Sequence, residues 1–183
     1  MIASNILNPL ILSAFTKEIT WLEASTRHSL DEFIETFYHI RERTEENLAD
    51  LTDTQVAYSS PAHSLWSVSE TITHLVYSQG FYHNKLLEIS TSQLPHMMEA
   101  ARGFGEGARQ NIPADQLHVI LANATEQIRV VIDGTRNSHD PDKTENGLFG
   151  ICNYKTWMFL MLAHETDHLR QLAAMRRLAR TNE

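Results

Sequence analysis

Apolar side chains recur at helical spacing in four long stretches of this chain, and this pattern limits the possible fold more than any other feature. In each stretch they return every three or four residues, as one face of an α-helix requires. The chain holds only 7 glycines and 5 prolines, which favours helices over a turn-rich sandwich or barrel. The predicted helices span residues 29–50, 67–89, 113–134 and 154–180.

The beginnings of three of these helices carry start signals. Ser29 is followed by Glu32, and Ser67 by Glu70, at the spacing of a capping box. Pro113 opens the third helix in its first turn, where the missing N–H is tolerated. There is no internal repeat and no strand pattern, and 183 residues suffice for one hydrophobic core. We therefore predict an all-α protein, an up-and-down four-helix bundle.

The segments outside these helices are more varied. Residues 1–27 form an N-terminal appendage, in which a short apolar helix from Leu10 to Phe15 is expected to dock on the bundle or on a second subunit. Residues 91–112 are mixed in character, with a short irregular helix expected over 97–102. The predicted organisation is an appendage, 1–27, followed by a four-helix bundle, 28–183.

Charge and composition limit the partners and the location. With 15 basic and 23 acidic residues the formal net charge is −8, so we expect no nucleic-acid partner. The apolar patch from Ile6 to Leu12 is too short and too interrupted by proline to cross a membrane, and no basic flank marks it as a signal peptide. The single cysteine, Cys152, excludes an internal disulfide. These features predict a cytoplasmic protein without a membrane partner.

Two histidines interrupt the apolar stripe of the fourth helix. His164 and His168 are four residues apart, so both imidazoles project from one face, one turn above the other. Gln171 continues that face. Burying polar groups without partners costs several kcal/mol, so these side chains need a partner. A divalent metal ion is a partner that two imidazoles in this geometry can bind.

Because two histidines alone would bind a metal ion weakly, a third ligand is expected on another helix. His74 lies about two turns into the second helix, and Glu70, four residues earlier, is expected to accept its spare N–H. If the second and fourth helices are neighbours, His74 meets the other two in an open three-nitrogen site suited to zinc, nickel or iron. The remaining helical histidines are expected to be exposed to solvent; they are His39, His83 and His118.

Three motifs around these residues resemble the DinB-like (damage-inducible) family of metal-binding four-helix bundles. The resemblance implies a divalent metal ion bound by His74, His164 and His168. It also implies a relationship to thiol-dependent transferases and isomerases that use bacillithiol, mycothiol or glutathione, and a tendency to form homodimers. The motifs are Leu51-Thr-Asp-Thr-Gln55 with Pro61 after it, Trp66-Ser-Val-Ser-Glu-Thr-Ile-Thr-His74-Leu75, and His164-Glu-Thr-Asp-His168-Leu-Arg-Gln171.

From the resemblance we expect a metal-dependent enzyme that acts on a small molecule, either a thiol-dependent transferase or a hydrolase. In the transferases the metal lowers the pKa of a low-molecular-weight thiol, so that the thiolate attacks an electrophile. A non-catalytic bundle, stabilised by the metal and serving as a binding or scaffold protein, is the alternative that the sequence leaves open.

Two other metal chemistries fit the sequence less well. His164-Glu165-x-x-His168 also matches the zinc-protease motif, in which Glu165 would be the general base. That motif needs a third ligand downstream, but after His168 the chain has no histidine and a single carboxylate side chain, Glu183. A di-iron bundle needs Glu-x-x-His pairs, whereas Glu70 precedes its histidine by four residues.

Overall fold

The computed structural model describes residues 4–60, 65–89, 109–147 and 149–181 and confirms the predicted all-α bundle. The short helix expected over 97–102 lies outside these residues. None of the described helices combines the length and the apolar character that a membrane span needs. The elements are α1 Ser4–Phe15, α2 Trp21–Ser25, α3 Leu30–Leu48, α4 Asp53–Ala57, α5 Val68–Ile89, α6 Ala114–Thr135, β1 Glu145–Gly147, β2 Gly150–Cys152 and α7 Tyr154–Thr181.

The four long helices α3, α5, α6 and α7 surround a common core. α3 packs against α7, α7 against α5, α5 against α6, and α6 against α3, so the order round the bundle is α3, α7, α5, α6. The chain therefore passes between opposite corners of the bundle when it runs from α3 to α5 and from α6 to α7. This order places α5 beside α7, which is the arrangement that the predicted metal site requires.

The predicted capping boxes are present at the starts of α3 and α5. The Glu32 N–H donates to Ser29 Oγ at 3.2 Å, and the Ser29 N–H donates to Glu32 Oε2 at 2.7 Å. The same two bonds join Ser67 and Glu70, at 3.0 and 2.8 Å. Side chains that satisfy the first backbone N–H groups determine where each helix begins. Pro113 lies at the N-cap of α6, one residue before its predicted place in the first turn.

Among the described residues, the core consists of two clusters of buried side chains, one around each end of α7. His164 and His168 lie in the interval of α7 between them, after Ala163 of the first cluster and before Leu172 of the second. These two histidines therefore lie where the two apolar clusters meet. The bulkiest members of the first cluster include Phe33, Phe37, Trp157 and Phe159, and the second includes Leu48, Ile72, Leu75, Leu117 and Met175.

The described part of the N-terminal segment packs on the bundle. Ala14, Trp21 and Ala24 are buried in the first core cluster, and Leu10 and Ile11 pack partly against it. α1 begins at position 4, earlier than the predicted start at Leu10, and the sequence pattern did not predict α2. These contacts support the bundle as the docking place of this segment. The division of the chain after residue 27 stays a prediction.

A short hairpin that the sequence pattern did not predict precedes α7. Its strands are antiparallel, with Glu145 opposite Cys152 and Gly147 opposite Gly150. Strands of three residues are too short to show an alternating apolar pattern, which is why the pattern indicated a loop here. Gly150 has a φ of +93°, a conformation in which a side chain would be strained.

Candidate metal centre

The structure brings His74, His164 and His168 together at one point between α5 and α7. Nε2 of His164 lies 3.2 Å from Nε2 of His74 and 3.2 Å from Nε2 of His168. One ring nitrogen of each of the three histidines lies within 4.8 Å of the other two. The spacing of four residues along α7 provides two of these side chains, and the packing of α5 against α7 provides the third.

These distances fit a metal ion. Tetrahedral zinc with bonds of about 2.0–2.1 Å separates its nitrogen ligands by about 3.3 Å, close to the separations of 3.2 Å found here. Imidazole nitrogens are common ligands of zinc, nickel and iron ions. The three histidines are therefore positioned to bind one divalent metal ion.

The electrostatic surroundings keep the three imidazoles neutral. Burial, followed by the neighbouring His168 and His74, lowers the pKa of His164 to about 3. Burial, followed by electrostatic repulsion from His168 and Arg109, lowers the pKa of His74 to about 4. Burial also lowers the pKa of His168. Because only a neutral imidazole has a lone pair to give to a metal ion, these shifts favour the metal-binding form at neutral pH.

Gln171 orients His168. The Nδ1–H of His168 donates to Gln171 Oε1 at 3.3 Å, and the Gln171 amide nitrogen donates to Asp167 Oδ2 at 3.1 Å. The carboxylate of Asp167 can only accept, so it turns the amide oxygen of Gln171 towards the imidazole. This chain of bonds leaves the lone pair of His168 on Nε2, the nitrogen that faces the other histidines. The predicted place of Gln171 beside the site agrees with this contact.

Glu70 was predicted to accept the spare N–H of His74, and its contact in the structure is a different one. Its Oε2 accepts the backbone N–H of Ser67 in the cap of α5, so this carboxylate begins the helix that carries His74. Ser78 Oγ on α5 lies 3.3 Å from His74 Nε2, which is the ring nitrogen that also faces His164 and so is not the spare one. Glu70 thus supports the site through the start of α5.

Trp66 and Arg109 form one side of the site, and neither was predicted to have a role there. The Trp66 ring is stacked on His168 with centroids 5.6 Å apart and meets His74 edge-on at 4.9 Å. The Arg109 guanidinium lies 4.6 Å from the centre of the Trp66 ring. The sequence could have indicated Trp66, because this residue lies directly before Ser67, which caps the helix that carries His74. It gave no such indication for Arg109, which lies in a segment without helical periodicity.

The site reaches the protein surface. His74 and His164 are each partly exposed, whereas His168 is 5% exposed. A cavity of about 700 Å³ lies elsewhere, between the α1–α2 connection and the hairpin, and Trp21, Phe149 and Ile151 are among its lining residues. None of the three histidines lines that cavity. The candidate centre is therefore a surface-connected site at the junction of α5 and α7.

Glu165, the glutamate of the protease-like motif, is directed into the bundle. It is 2% exposed, and its Oε1 accepts a hydrogen bond from Arg41 on α3. Burial raises the pKa of Glu165, and Arg41 opposes that rise. A general base has to reach the water that attacks the substrate. The geometry of Glu165 does not support that role, and so does not support the protease interpretation.

The structure corrects the prediction for His83. His118 is exposed as expected and His39 is partly exposed, but His83 is 1% exposed in the bundle core. Its Nε2 lies 3.4 Å from the amide nitrogen of Gln79. α5 is covered by both α6 and α7, so its buried surface is wider than the single apolar stripe on which the prediction was based.

We expect His83 to make the metal-free protein acid-sensitive. Burial, followed by the charge of Arg41, lowers the pKa of His83 from 6.5 to about 4. Between these pH values the unfolded chain takes up a proton that the folded chain does not, so stability falls as the pH falls. Once the pH is below both pKa values, His83 has lowered the free energy of unfolding by about 3 kcal/mol. Urea unfolding with a chelator present, from neutral to mildly acidic pH, should show a shallower fall in a His83→Gln variant.

The matched control for this prediction is His39→Gln, since the His39 side chain is 40% exposed. This variant should keep the pH dependence of the wild type. Equal pH dependence in the wild type and in His83→Gln would contradict the prediction.

The fold and the site together define a helical bundle with a candidate metal centre formed by three histidines on two neighbouring helices. A family model described as the DinB superfamily matches residues 36–172, which is most of the chain. The chain therefore belongs to the DinB superfamily, and this confirms the resemblance seen in its motifs. None of the curated proteins and none of the solved structures compared with the chain matches it.

Proposed function

We propose that His74, His164 and His168 bind one divalent metal ion and that the protein is a metal-dependent enzyme acting on a small molecule. The observation that carries this proposal is the convergence of three neutral imidazoles, in which Nε2 of His164 lies 3.2 Å from Nε2 of His74 and 3.2 Å from Nε2 of His168. Zinc, nickel and iron are the proposed ions because each accepts three nitrogen ligands.

The composition of the site favours catalysis over a purely structural role. Structural zinc sites have four protein ligands, whereas catalytic sites have three and leave one position to water or substrate. Among the described residues, no cysteine, carboxylate or further histidine joins the group of three. The partial exposure of His74 and His164 gives a small molecule access to that position.

The proposed reaction is transfer of a low-molecular-weight thiol to an electrophile, with hydrolysis as the second possibility. A bound divalent ion would supply Lewis-acid chemistry, lowering the pKa of a thiol or a water that contacts it. In the transfer, the thiol loses its proton, its sulfur bonds to the electrophilic carbon, and the leaving group departs with its bonding electrons. Gln171 keeps His168 oriented, and the Trp66 ring provides an apolar wall against which a substrate can pack.

The thiol has to come from a cofactor, because the chain offers no suitable one. Its single cysteine, Cys152, is fully buried. Burial, followed by the charge of Glu145, raises the pKa of Cys152 to about 11, so at neutral pH it carries very little of the nucleophilic thiolate. Bacillithiol, mycothiol and glutathione are the proposed candidates. A homodimer and a cytoplasmic location stay predictions from the resemblance and the composition.

We expect thiol transfer that depends on the metal. The protein, purified without a histidine tag or a nickel column, is first assayed for its metal by elemental analysis. It is then incubated with each thiol and an activated aryl halide, alongside chelator-stripped protein. Adduct formation should require the metal and should return when the metal is restored.

The same experiment separates the two functional classes. A protein that carries the metal and is stabilised by it, but forms no adduct with any of the three thiols and hydrolyses no model ester, would favour the non-catalytic bundle. A protein purified without any stoichiometric metal, and unable to take one up, would refute the metal centre itself.

A further inference from the structure

We infer that a buried polar network formed by Arg41, Gln79 and Glu165 positions the three histidines of the candidate metal centre. We call these residues the core network. The inference rests on the proposed function, because it concerns how the same site is kept in a metal-binding geometry. The core network residues act through the backbone of α5 and α7, so they are positioning residues.

Each of the four long helices contributes a group to this arrangement. Arg41 on α3 donates through Nη2 to Glu165 on α7 and, at 2.9 Å, to Gln79 Oε1 on α5. The Gln79 amide nitrogen donates to the backbone carbonyl of Ala124 on α6 at 2.5 Å. Apolar side chains tolerate small displacements of one helix against another, whereas directional hydrogen bonds favour one alignment. The contacts therefore tie the four helices at one level of the bundle.

That level is next to the candidate metal centre. Glu165 directly follows His164 on α7, and Gln79 lies five residues after His74 on α5. Since an α-helix rises about 1.5 Å per residue, Gln79 lies about 7.5 Å along the axis from His74. A one-residue slip of α5 along α7 would move His74 by about 1.5 Å, whereas metal–ligand distances hold to about 0.2 Å. The register of these two helices therefore decides whether the 3.2 Å approach of His74 to His164 exists.

The burial of the core network indicates that stability is not its main contribution. The side chains of Arg41 and Glu165 are 1% and 3% exposed. Nε and Nη1 of Arg41 and Oε2 of Glu165 have no hydrogen-bond partner among the described residues. An incompletely bonded pair does not recover the cost of removing two charges from water, and apolar side chains of similar volume often stabilise a fold as well. The ion pair fixes the alignment of the helices, and apolar packing would not fix it.

The test replaces the ion pair with apolar side chains, in the variant Arg41→Met/Glu165→Leu of the full chain. Metal-free protein is titrated with Co²⁺, whose visible absorption reports the number and geometry of its ligands. We expect thermal unfolding of the metal-free variant close to that of the wild type. We expect its Kd for Co²⁺ to rise by at least about tenfold, the loss typical when a supporting contact of a metal ligand is removed, with altered absorption bands.

The matched control is Asp31→Leu/Arg136→Met, which removes another ion pair of α3. This pair joins α3 to the C-cap residue of α6 on the surface, with Arg136 Nη2 and Asp31 Oδ1 2.7 Å apart. Its removal should leave both the Co²⁺ affinity and the absorption spectrum at the wild-type values, because it lies at the start of α3, away from the histidines.

The outcomes separate this inference from the proposed function. A folded Arg41→Met/Glu165→Leu variant with wild-type Co²⁺ affinity and spectrum overturns the inference and leaves the metal centre standing. If that variant does not fold, Gln79→Met replaces it, because it removes the hydrogen bonds of α5 to Arg41 and to the Ala124 carbonyl and leaves the ion pair in place. Unchanged affinity and spectrum there overturn the inference equally. A wild-type protein that binds no Co²⁺ overturns the metal centre and the inference together.

Discussion

Replacing His168 with alanine is expected to abolish stoichiometric metal binding while leaving most of the helix content. His168 supplies one of three converging nitrogens, and two histidines on two helices form a weak site. Loss of an outer-shell partner alone weakens metal binding by about 10–100-fold, so loss of a ligand should weaken it by more than about 100-fold. The other buried side chains of α7 remain, and packing supplies most of the stability of a bundle helix.

Elemental analysis and far-ultraviolet circular dichroism measure the two parts of this prediction. His118→Ala is the matched control, because His118 is an exposed histidine on α6 and its loss should change neither measurement. Full metal occupancy in a folded His168→Ala protein would show that the metal ion is bound elsewhere.

Replacing Glu165 alone with leucine is expected to lower the free energy of unfolding by about 3–5 kcal/mol. The change leaves Arg41 buried without its carboxylate, at a position where its side chain is 1% exposed. A buried charge without a partner is far more destabilising than the replacement of the whole pair by apolar groups. Denaturation by urea at neutral pH, with a chelator present, measures the effect directly.

The double variant Arg41→Met/Glu165→Leu is the internal control, since removing both charges should recover most of the stability that the single variant loses. A loss below about 1 kcal/mol in the single variant would contradict the assignment of a buried pair. The comparison also addresses the protease interpretation. If Glu165 were a general base, its replacement would reduce activity without a large effect on the free energy of unfolding. A large loss of stability therefore favours the structural role of Glu165.

The helices and two of the candidate ligands could be predicted because both depend on neighbouring residues. Helix starts at Ser29 and Ser67 follow from side chains that bond within three residues, and the structure shows those bonds. His164 and His168 share one face of α7 wherever that helix lies, because a helix repeats every 3.6 residues. The position of His74 in the second helix and the family resemblance both indicated this histidine, but its role depends on the packing of α5 against α7.

The residues predicted wrongly or missed depend on contacts that are distant in sequence. His83 was expected at the surface and is buried, because two neighbouring helices cover α5. The partner of Glu165 is 124 residues earlier in the chain, and the motif around Glu165 contains no sign of it. The hairpin before α7 has strands too short to show a pattern.

Local spacing along the chain was therefore enough for the helical class, the approximate bounds of the four long helices and the placing of His164 and His168 on one face. The meeting of His74 with His164, 90 residues away, and the enclosure of Arg41 with Glu165 depended on the order α3, α7, α5, α6 round the bundle. That order depends on which apolar helix surfaces fit together and are removed from water. The free energy of such burial belongs to pairs of surfaces, whereas periodicity describes each helix alone.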